Sequence, residues 1–174
     1  MASGCGGRWP KPAGPFGITP YGVDAINALR IEKGHVTGAE LNGRTTADDL
    51  GLGRMLKNDR DFIGKRSLSR PGLRDPQRWQ LVGVVPADQK SVLPPGGKIV
   101  ENPGRPAPKP CLGELTSTTW SPILDMPVGL ALVSGGRARH GERLFAVSPL
   151  MKQSVQVEIR SPVFFDLEGE RVRG

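Results

Sequence analysis

The chain has 174 residues, enough for one domain or for one small domain with part of another. Hydrophobic residues make up 37% of it, so it can bury a core, and 24 glycines with 17 prolines favour short strands joined by turns over a helical bundle. The net charge of +7 suits an anionic partner, but aromatic residues make up only 5% and do not alternate with basic ones, so nucleic-acid binding is not favoured.

The N-terminal part predicts an irregular lead followed by one helix. Residues 1–14 are rich in glycine and proline and form the lead. Thr19 is a typical N-cap, and Pro20 fits the first helical position. The helix should run from about Pro20 to Lys33 and end at Gly34, which tolerates a left-handed backbone. One face of this helix, which we expect to be largely covered, carries Tyr21, Ala25, Ala28, Leu29 and Glu32.

Residues 35–75 predict turns and a second helix. Thr46 precedes two aspartates and should cap one short turn of helix. The second helix is predicted over residues 62–70, ended by Pro71-Gly72. A run of cations crosses this region, and its usual interpretation is a solvated helix face. The run consists of Arg54, Lys57, Arg60, Lys65, Arg66, Arg70, Arg74 and Arg78, against Asp59, Asp61 and Asp75.

From residue 76 onward the pattern changes to short apolar runs separated by turn residues. At least six strands with no helices between them predict an antiparallel barrel or sandwich. Val92-Leu93 and Lys98–Glu101 flank Pro94-Pro95-Gly96-Gly97, which predicts a hairpin. The other strands are predicted at Trp79–Val85, Gly113–Thr119, Val128–Ser134, Arg143–Val147 and Ser154–Arg160.

Several blocks, in the same order along the chain, resemble the glycine-cleavage T-protein family in the form carried by the alpha subunit of heterotetrameric sarcosine oxidase. Each block is weakly specific by itself, whereas their sequence together is a strong signal. They are residues 15–22, Leu29–Gly34, Thr45–Gly53, Asp61–Leu68, Trp79–Gly83, Ser121-Pro122, Gly129–Val133 and Pro162–Asp166.

The resemblance implies an α+β fold with a mainly antiparallel β-barrel as its C-terminal domain. Residues 15–75 would be a helical segment from a partial folate-binding lobe, and residues 76–174 the barrel. In this family the barrel closes over a tetrahydrofolate site. The folate accepts a one-carbon unit released from an N-methyl or aminomethyl group.

By the same resemblance, Glu32 is the carboxylate that holds the pterin ring. A pterin offers an exocyclic amine and a ring N–H side by side, and one carboxylate can accept from both. The other interpretation of Glu32 is a salt bridge to Lys33, Arg30 or a distant arginine. An acid at the C-terminal end of a helix opposes the helix dipole, so either interpretation needs a specific partner.

The family also places a basic residue just before the second helix, near the folate. Lys57 and Arg60 are the candidates here, and either cation could attract the glutamate tail of the cofactor. The alternative is that both belong to the solvated basic face.

The resemblance assigns no catalytic residue to this chain. The family's catalytic aspartate lies upstream of the helix that carries Glu32, and residues 1–13 do not resemble the family. Sites for NAD and for FMN or FAD would lie on missing domains or on other subunits. We therefore expect little or no activity from the chain alone. Its expected partners are folate and the remaining sarcosine oxidase subunits or a missing N-terminal lobe.

A second hypothesis comes from a different functional class. The barrel could be a structural or assembly module that docks on the rest of an oxidase complex without binding folate. Titration of a reduced folate separates the two hypotheses, because only the first predicts saturable binding that depends on Glu32.

The remaining chemistry of the sequence predicts no metal centre and no membrane anchor. His35, His140, Cys5 and Cys111 lack metal-ligand spacing, and two cysteines do not make a disulfide framework. No apolar run approaches the ~18 residues that cross a bilayer, and the N-terminus lacks a secretory signal. A cytoplasmic protein is therefore expected.

Overall fold

A computed structural model describes residues 17, 20–57, 59–105 and 110–173 of the chain. Six antiparallel strands close into a barrel, which confirms the predicted fold class. The strands are β1 (Trp79–Pro86), β2 (Lys98–Val100), β3 (Gly113–Ser121), β4 (Met126–Ser134), β5 (Arg143–Ser148) and β6 (Gln153–Arg160). Around the barrel their order is β1-β4-β3-β2-β5-β6. The long β3–β4 hairpin carries an irregularity between Leu115 and Ser117.

The helices are short. They are α1 (Val23–Glu32), α2 (Lys65–Leu68) and α3 (Glu170–Arg173), with 3-10 turns at Gly53–Met55, Pro71–Leu73 and Gly136–Arg139. In the described parts of the chain, none of them has the length and apolar character that a bilayer crossing requires.

Both predicted helices are longer than the observed ones. Helix α1 begins at Val23 because Gly22 takes the extended backbone of an N-cap; the predicted cap, Thr19, lies outside the described residues. Its predicted end is confirmed, since Gly34 has φ of 71°. Helix α2 cannot start at residue 62 because Gly64 has φ of 94°, a left-handed backbone that interrupts a right-handed helix.

The predicted hairpin around Pro94-Pro95-Gly96-Gly97 is wrong. Strand β2 pairs with β3 and β5, and residues 92–93 form no strand. Leu93 instead joins the core inside the barrel. Pro94 and Pro95 have no amide hydrogen to donate to a neighbouring strand, so the burial of Leu93 decides the path of the chain here.

The buried apolar residues form two clusters on opposite faces of the sheet. The first fills the barrel, and the second lies outside β1 and β4. The barrel cluster includes Val82, Val84, Ile99, Leu115, Ala131, Val133, Leu144, Ala146, Val157 and Ile159. The outer cluster contains Ile31, Leu50, Leu81, Val85, Val128, Leu130 and Leu132. Because both faces of β1 and β4 are covered, their sequences are continuous apolar runs without polar alternation.

Helix α1 meets the outer cluster only through its last turn. Ile31 and Glu32 are buried, whereas Tyr21 is exposed and Leu29 remains 55% exposed. The expectation that the face of Tyr21 and Leu29 is covered is therefore wrong within the described residues. The barrel reaches only the C-terminal end of α1, so helical periodicity alone could not select the buried side.

Asp49 fixes the segment that leads from α1 to the barrel. Its carboxylate accepts from the Thr46 amide at 2.8 Å and from Arg78 Nη2 at 2.7 Å. Thr46 Oγ1 accepts from the Asp49 amide at 3.2 Å in return, so the predicted cap exists, although it closes a turn and not a helix. Burial raises the pKa of the Asp49 carboxyl, but the hydrogen bonds from Arg78 and Thr46 outweigh burial and lower it.

Glu40, nine residues before Asp49, has a similar role in an earlier turn of the chain. It is fully buried, and its carboxylate accepts from the Thr37 amide at 2.8 Å and from Ser117 Oγ at 2.9 Å. Burial raises the pKa of Glu40, but hydrogen bonds from Thr116 and Thr37 outweigh it, so the net pKa is lowered. Since Ser117 belongs to β3, this carboxylate joins the segment after α1 to the barrel wall.

The C-terminal strap, residues 161–166, crosses the end of helix α1. The amides of Phe164 and Phe165 donate to the carbonyl oxygen of Glu32, at 2.8 and 3.1 Å. Lys33 Nζ lies 2.9 Å from Asp166 Oδ2 and lowers the pKa of that carboxyl. The strap therefore supplies the hydrogen-bond donors that the last turn of a helix lacks.

Gly34→Ala should destabilise the chain by about 2 kcal/mol or more. An added Cβ would lie 2.6 Å from the carbonyl oxygen of Pro162 in the strap, and φ of 71° disfavours any side chain. Urea unfolding measures the loss. The control is Gly38→Ala, where a Cβ meets no atom within 4 Å and the stability should change by less than ~1 kcal/mol. Equal effects at both glycines would contradict the close approach of the strap.

Candidate functional site

Glu32 lies where the end of α1, strand β3 and the strap meet. The residue is only 2% exposed. Its Oε1 accepts a hydrogen bond from Ser121 Oγ at 2.6 Å, and Ser121 is completely buried at the end of β3. Ser121 Oγ in turn accepts from the Leu124 amide at 3.1 Å. The barrel therefore fixes one oxygen of this carboxylate.

The second oxygen of Glu32 has no such partner. Among the described residues, none donates a hydrogen bond to Oε2 and none forms an ion pair with this carboxylate. No described side-chain polar atom is both fully buried and unpartnered, so Oε2 keeps a small contact with solvent. A carboxylate held by one oxygen and open at the other can accept from a ligand.

The cations considered as salt-bridge partners of Glu32 point elsewhere. Lys33 pairs with Asp166, as described above. Arg30 Nη2 donates to Ser117 Oγ at 2.8 Å, and Arg30 Nη1 lies 3.9 Å from Glu40 Oε1. These two cations hold α1 to the strap and to β3, and they leave Glu32 without a positive neighbour among the described ion pairs.

A cavity of about 390 Å³ opens beside this arrangement. Leu124, whose amide bonds Ser121, and Phe164, whose amide bonds the Glu32 carbonyl, both line it. His140 and Arg160 contribute polar groups on its other side. The cavity is thus lined by one residue that bonds Ser121 and one that bonds the backbone of Glu32, so it lies next to the residues that fix this carboxylate.

Lys57 and Arg60 are exposed, and Asn58 between them lies outside the described residues. No hydrogen bond or ion pair of the described part of the chain joins either side chain to Glu32. The backbone oxygen of Arg60 accepts from Lys65 Nζ at 2.8 Å, which closes the turn before α2. The three predicted site residues are therefore not brought into mutual contact.

The segment after Lys57 borders a wide groove of about 1140 Å³. Its walls combine the cations Lys65, Arg66 and Arg74 with the exposed apolar residues Phe62 and Ile63. Asp61 partly neutralises Lys65 at 3.6 Å. This combination suits an anionic molecule with an apolar body, or an apolar surface that carries acidic groups.

Sequence reasoning missed the role of Ser121. The serine stands in one of the blocks quoted for the resemblance, but the strand was predicted to end at Thr119. Ser117 and Ser121 are four residues apart on β3 and both contact residues of α1. Polar residues at even spacing on a strand with a buried face would have indicated buried hydrogen-bond partners.

Other candidate chemistry is sparse in the described residues. They contain no group of three or more histidine, cysteine or acidic side chains placed to hold a metal ion. His35 and His140 are exposed. Cys111 is an exposed free thiol that donates to the Gly113 carbonyl at 3.0 Å, and Cys5 lies outside the described residues.

Comparison with protein families agrees with this geometry. The family model of the glycine cleavage T-protein C-terminal barrel domain matches residues 80–166, which extend from β1 to the end of the strap. The chain belongs to the glycine cleavage T-protein family. Its closed six-stranded barrel is the T-protein barrel, and the predicted family is confirmed.

Two kinds of curated relative are similar to this T-protein chain. The sarcosine oxidase subunit alpha of Rhizobium meliloti (strain 1021) is 43% identical over 157 residues, which are 90% of this chain and 16% of the relative. The aminomethyltransferase of Prochlorococcus marinus (strain NATL1A) is 32% identical over 147 residues, 83% of this chain and 34% of the relative. The chain thus spans only 16% to 34% of the length of these relatives.

A solved structure shares the fold. The glycine cleavage system aminomethyltransferase T of Bartonella henselae superimposes with a TM-score of 0.66 at 22% sequence identity. The match covers 80% of this T-protein chain and 38% of the solved one. Like the curated relatives, it extends well beyond the region that the chain matches.

Proposed function

We propose that this chain forms part of the tetrahydrofolate site of a one-carbon transfer protein similar to sarcosine oxidase alpha subunits and aminomethyltransferases. One observation carries the proposal: Glu32 is buried, one of its oxygens is held by Ser121, and the other is open. A desolvated carboxylate needs donors, and a pterin supplies an amine and a ring N–H in one plane.

The proposal gives the basic segment a supporting role. Lys57 and Arg60 are solvent-exposed cations beside the groove, and they would attract the acidic tail of a folate. Their contribution should be modest and weakened by salt, because exposed charges are screened over ~10 Å at 0.1 M ionic strength.

In a complete protein, this site would serve the transfer of a one-carbon unit from an N-methyl amine to tetrahydrofolate. The chain itself supplies the wall that carries Glu32 and the barrel behind it. A catalytic acid and the NAD and flavin sites would lie elsewhere, on other domains or subunits. We therefore expect little or no one-carbon transfer by the chain alone.

Calorimetric titration of tetrahydrofolate into the purified chain tests the proposal. We expect saturable binding that Glu32→Ala weakens by about 10- to 100-fold, the usual contribution of hydrogen bonds to a charged group. The control is Glu101→Ala, at an exposed loop position, which should bind as the wild type does. Combined Lys57→Gln and Arg60→Gln should cost about two- to fivefold, and less at high salt. Absence of saturable heat at millimolar folate would refute the proposal.

The exposed face of α1 favours a second candidate, a docking module without folate binding. Val23 is 80% exposed, Ile26 48% and Leu29 55%, so an apolar strip lacks a cover in the described chain. Because the chain spans only 16% of the sarcosine oxidase alpha relative, the proposed cover is another part of such a protein or a partner subunit.

The docking candidate predicts that the chain alone self-associates through α1. Sedimentation velocity across a concentration series should show oligomers, and Leu29→Lys should shift them to monomer. Leu150→Lys, at an apolar position that is 98% exposed in the loop between β5 and β6, is the control and should leave association unchanged. A wild-type chain that stays monomeric at high concentration would count against docking through this helix.

A further inference from the structure

We infer that Ser121 is a positioning residue of the folate site: its hydroxyl turns the Glu32 carboxylate so that Oε2 faces the pteridine. This inference rests on the proposed function. It assigns to the barrel a specific part in ligand recognition, beyond closing over the site. It is supported by the hydrogen bonds of Ser121, by the two contacts that fix Glu32, and by a comparison with Ser117.

The hydrogen bonds around Ser121 determine the direction of its proton. A hydroxyl has one hydrogen and two lone pairs. The Leu124 amide donates to Ser121 Oγ at 3.1 Å and therefore occupies a lone pair. The hydroxyl hydrogen is then directed to Glu32 Oε1, at a short 2.6 Å that is typical of a charge-assisted bond. Ser121 is completely buried, so water does not compete for this contact.

Glu32 is held by hydrogen bonds to both its backbone carbonyl and its side chain. Its carbonyl oxygen accepts from the amides of Phe164 and Phe165 in the strap, and its side chain accepts from Ser121. The terminal torsion of a glutamate is otherwise broad and costs little to rotate. With Oε1 tied to β3, the carboxylate plane is set before a ligand arrives, and only Oε2 is left for new donors.

A purely structural role for Ser121 is the alternative, and Ser117 shows what such a role looks like. Ser117 Oγ accepts from Arg30 at 2.8 Å and donates to Glu40 at 2.9 Å, so it also fastens α1 to β3. Both serines are buried, on the same strand and four residues apart. Ser117→Ala is therefore a matched control: it removes an anchor of the same helix without touching Glu32.

Ligand discrimination distinguishes positioning from anchoring. Tetrahydrofolate presents the exocyclic 2-amino group as a donor, whereas a 2-desamino analogue lacks it. Wild-type chain should prefer tetrahydrofolate by at least tenfold. In Ser121→Ala we expect about tenfold weaker tetrahydrofolate binding with most of that preference lost. Ser117→Ala should keep the preference even where its thermal unfolding temperature falls. Calorimetric titrations of both ligands, with unfolding scans of each variant, provide the measurements.

A double-mutant cycle with Glu32→Gln adds an independent readout. If Ser121 acts through the Glu32 carboxylate, Ser121→Ala should have less than a twofold effect in the Glu32→Gln background. If Ser121→Ala fails to fold, Ser121→Cys serves in its place, because it preserves the side-chain volume and replaces the hydroxyl by a weak thiol donor.

The outcomes separate the inference from the proposed function. If the wild-type chain shows no saturable folate binding, both the proposed function and the inference about Ser121 are refuted. Wild-type binding that requires Glu32 but is unchanged in affinity and preference by Ser121→Ala and by Ser121→Cys overturns the inference alone. The inference is also overturned if Ser121→Ala and Ser117→Ala lose the same affinity for tetrahydrofolate and both keep the preference over the 2-desamino analogue. Ser121 would then be an anchor like Ser117.

Discussion

Replacing Ile31 by alanine should release helix α1 from the barrel while the barrel stays folded. Ile31 is fully buried in the outer cluster, where it packs with residues such as Leu81 and Leu130. It is the apolar residue of α1 that the described structure buries completely. Truncation of a buried isoleucine to alanine costs about 2–5 kcal/mol, and the rest of the helix is too exposed to compensate for such a loss.

Hydrogen exchange resolved along the chain measures this effect. Amides of α1 should lose protection in Ile31→Ala, whereas amides of β1 and β4 should keep most of theirs. Because Glu32 follows Ile31, the proposed folate binding should be lost together with the helix protection. The matched control is Ile26→Ala on the same helix, where the side chain is 48% exposed and its loss should change little. Undiminished protection of α1 in Ile31→Ala would show that other contacts hold the helix.

Breaking the ion pair between Arg78 and Asp49 should also lower the stability of the chain strongly. Asp49 is buried, and Arg78 also donates to the Arg44 carbonyl at 2.6 Å, so the pair joins three parts of the chain. Removing one partner of a buried pair costs about 3–5 kcal/mol. Since 20% of the Arg78 side chain is exposed, we expect about 2–3 kcal/mol for Arg78→Ala.

The neighbouring pair between Asp48 and Arg137 provides the control. Its atoms lie 2.8 Å apart, but the two side chains are 59% and 44% exposed. Arg137→Ala should therefore cost less than about 1 kcal/mol. Urea unfolding of both variants at neutral pH compares the two pairs directly. A cost for Arg78→Ala no larger than that of Arg137→Ala would contradict a buried structural role for Asp49.

The pair between Asp49 and Arg78 also predicts a dependence of stability on pH. The pKa of Asp49 is lowered from its ordinary value of 3.8, so the folded state favours the ionised carboxylate. This contribution is fully present above the ordinary pKa and is lost as the pH falls from there through the lowered pKa of the folded state. In Asp49→Asn the free energy of unfolding should therefore fall less steeply below pH 4 than in the wild type.

Much of the barrel could be predicted from local pattern, because apolar runs bounded by turn residues leave few alternatives. Trp79–Val85, Val128–Ser134 and Arg143–Val147 were predicted within two residues of the observed strands. The end of α1 was predictable too, since Gly34 adopts the left-handed backbone that glycine favours. The hairpin around Pro94 was not, because the distant core that buries Leu93 overrides the local turn signal.

The candidate site could likewise be predicted from the sequence only in part. The resemblance to the T-protein family singled out Glu32, and the acid at the end of an apolar helix already indicated that a specific partner was needed. The partner itself, Ser121, is 89 residues away along the chain, and no local pattern links the two. The same holds for the strap, whose amides donate to the Glu32 carbonyl from residues more than 130 positions later in the chain.

The amino-acid sequence by itself determined that residues 76 onward are antiparallel β structure and which family they resemble, because strand periodicity and short motifs are properties of neighbouring residues. The tertiary structure alone decided which end of α1 is buried and which oxygen of Glu32 is left open. Both depend on contacts between residues far apart in the chain, and such contacts exist only when burial of the outer cluster brings α1, β3 and the strap together.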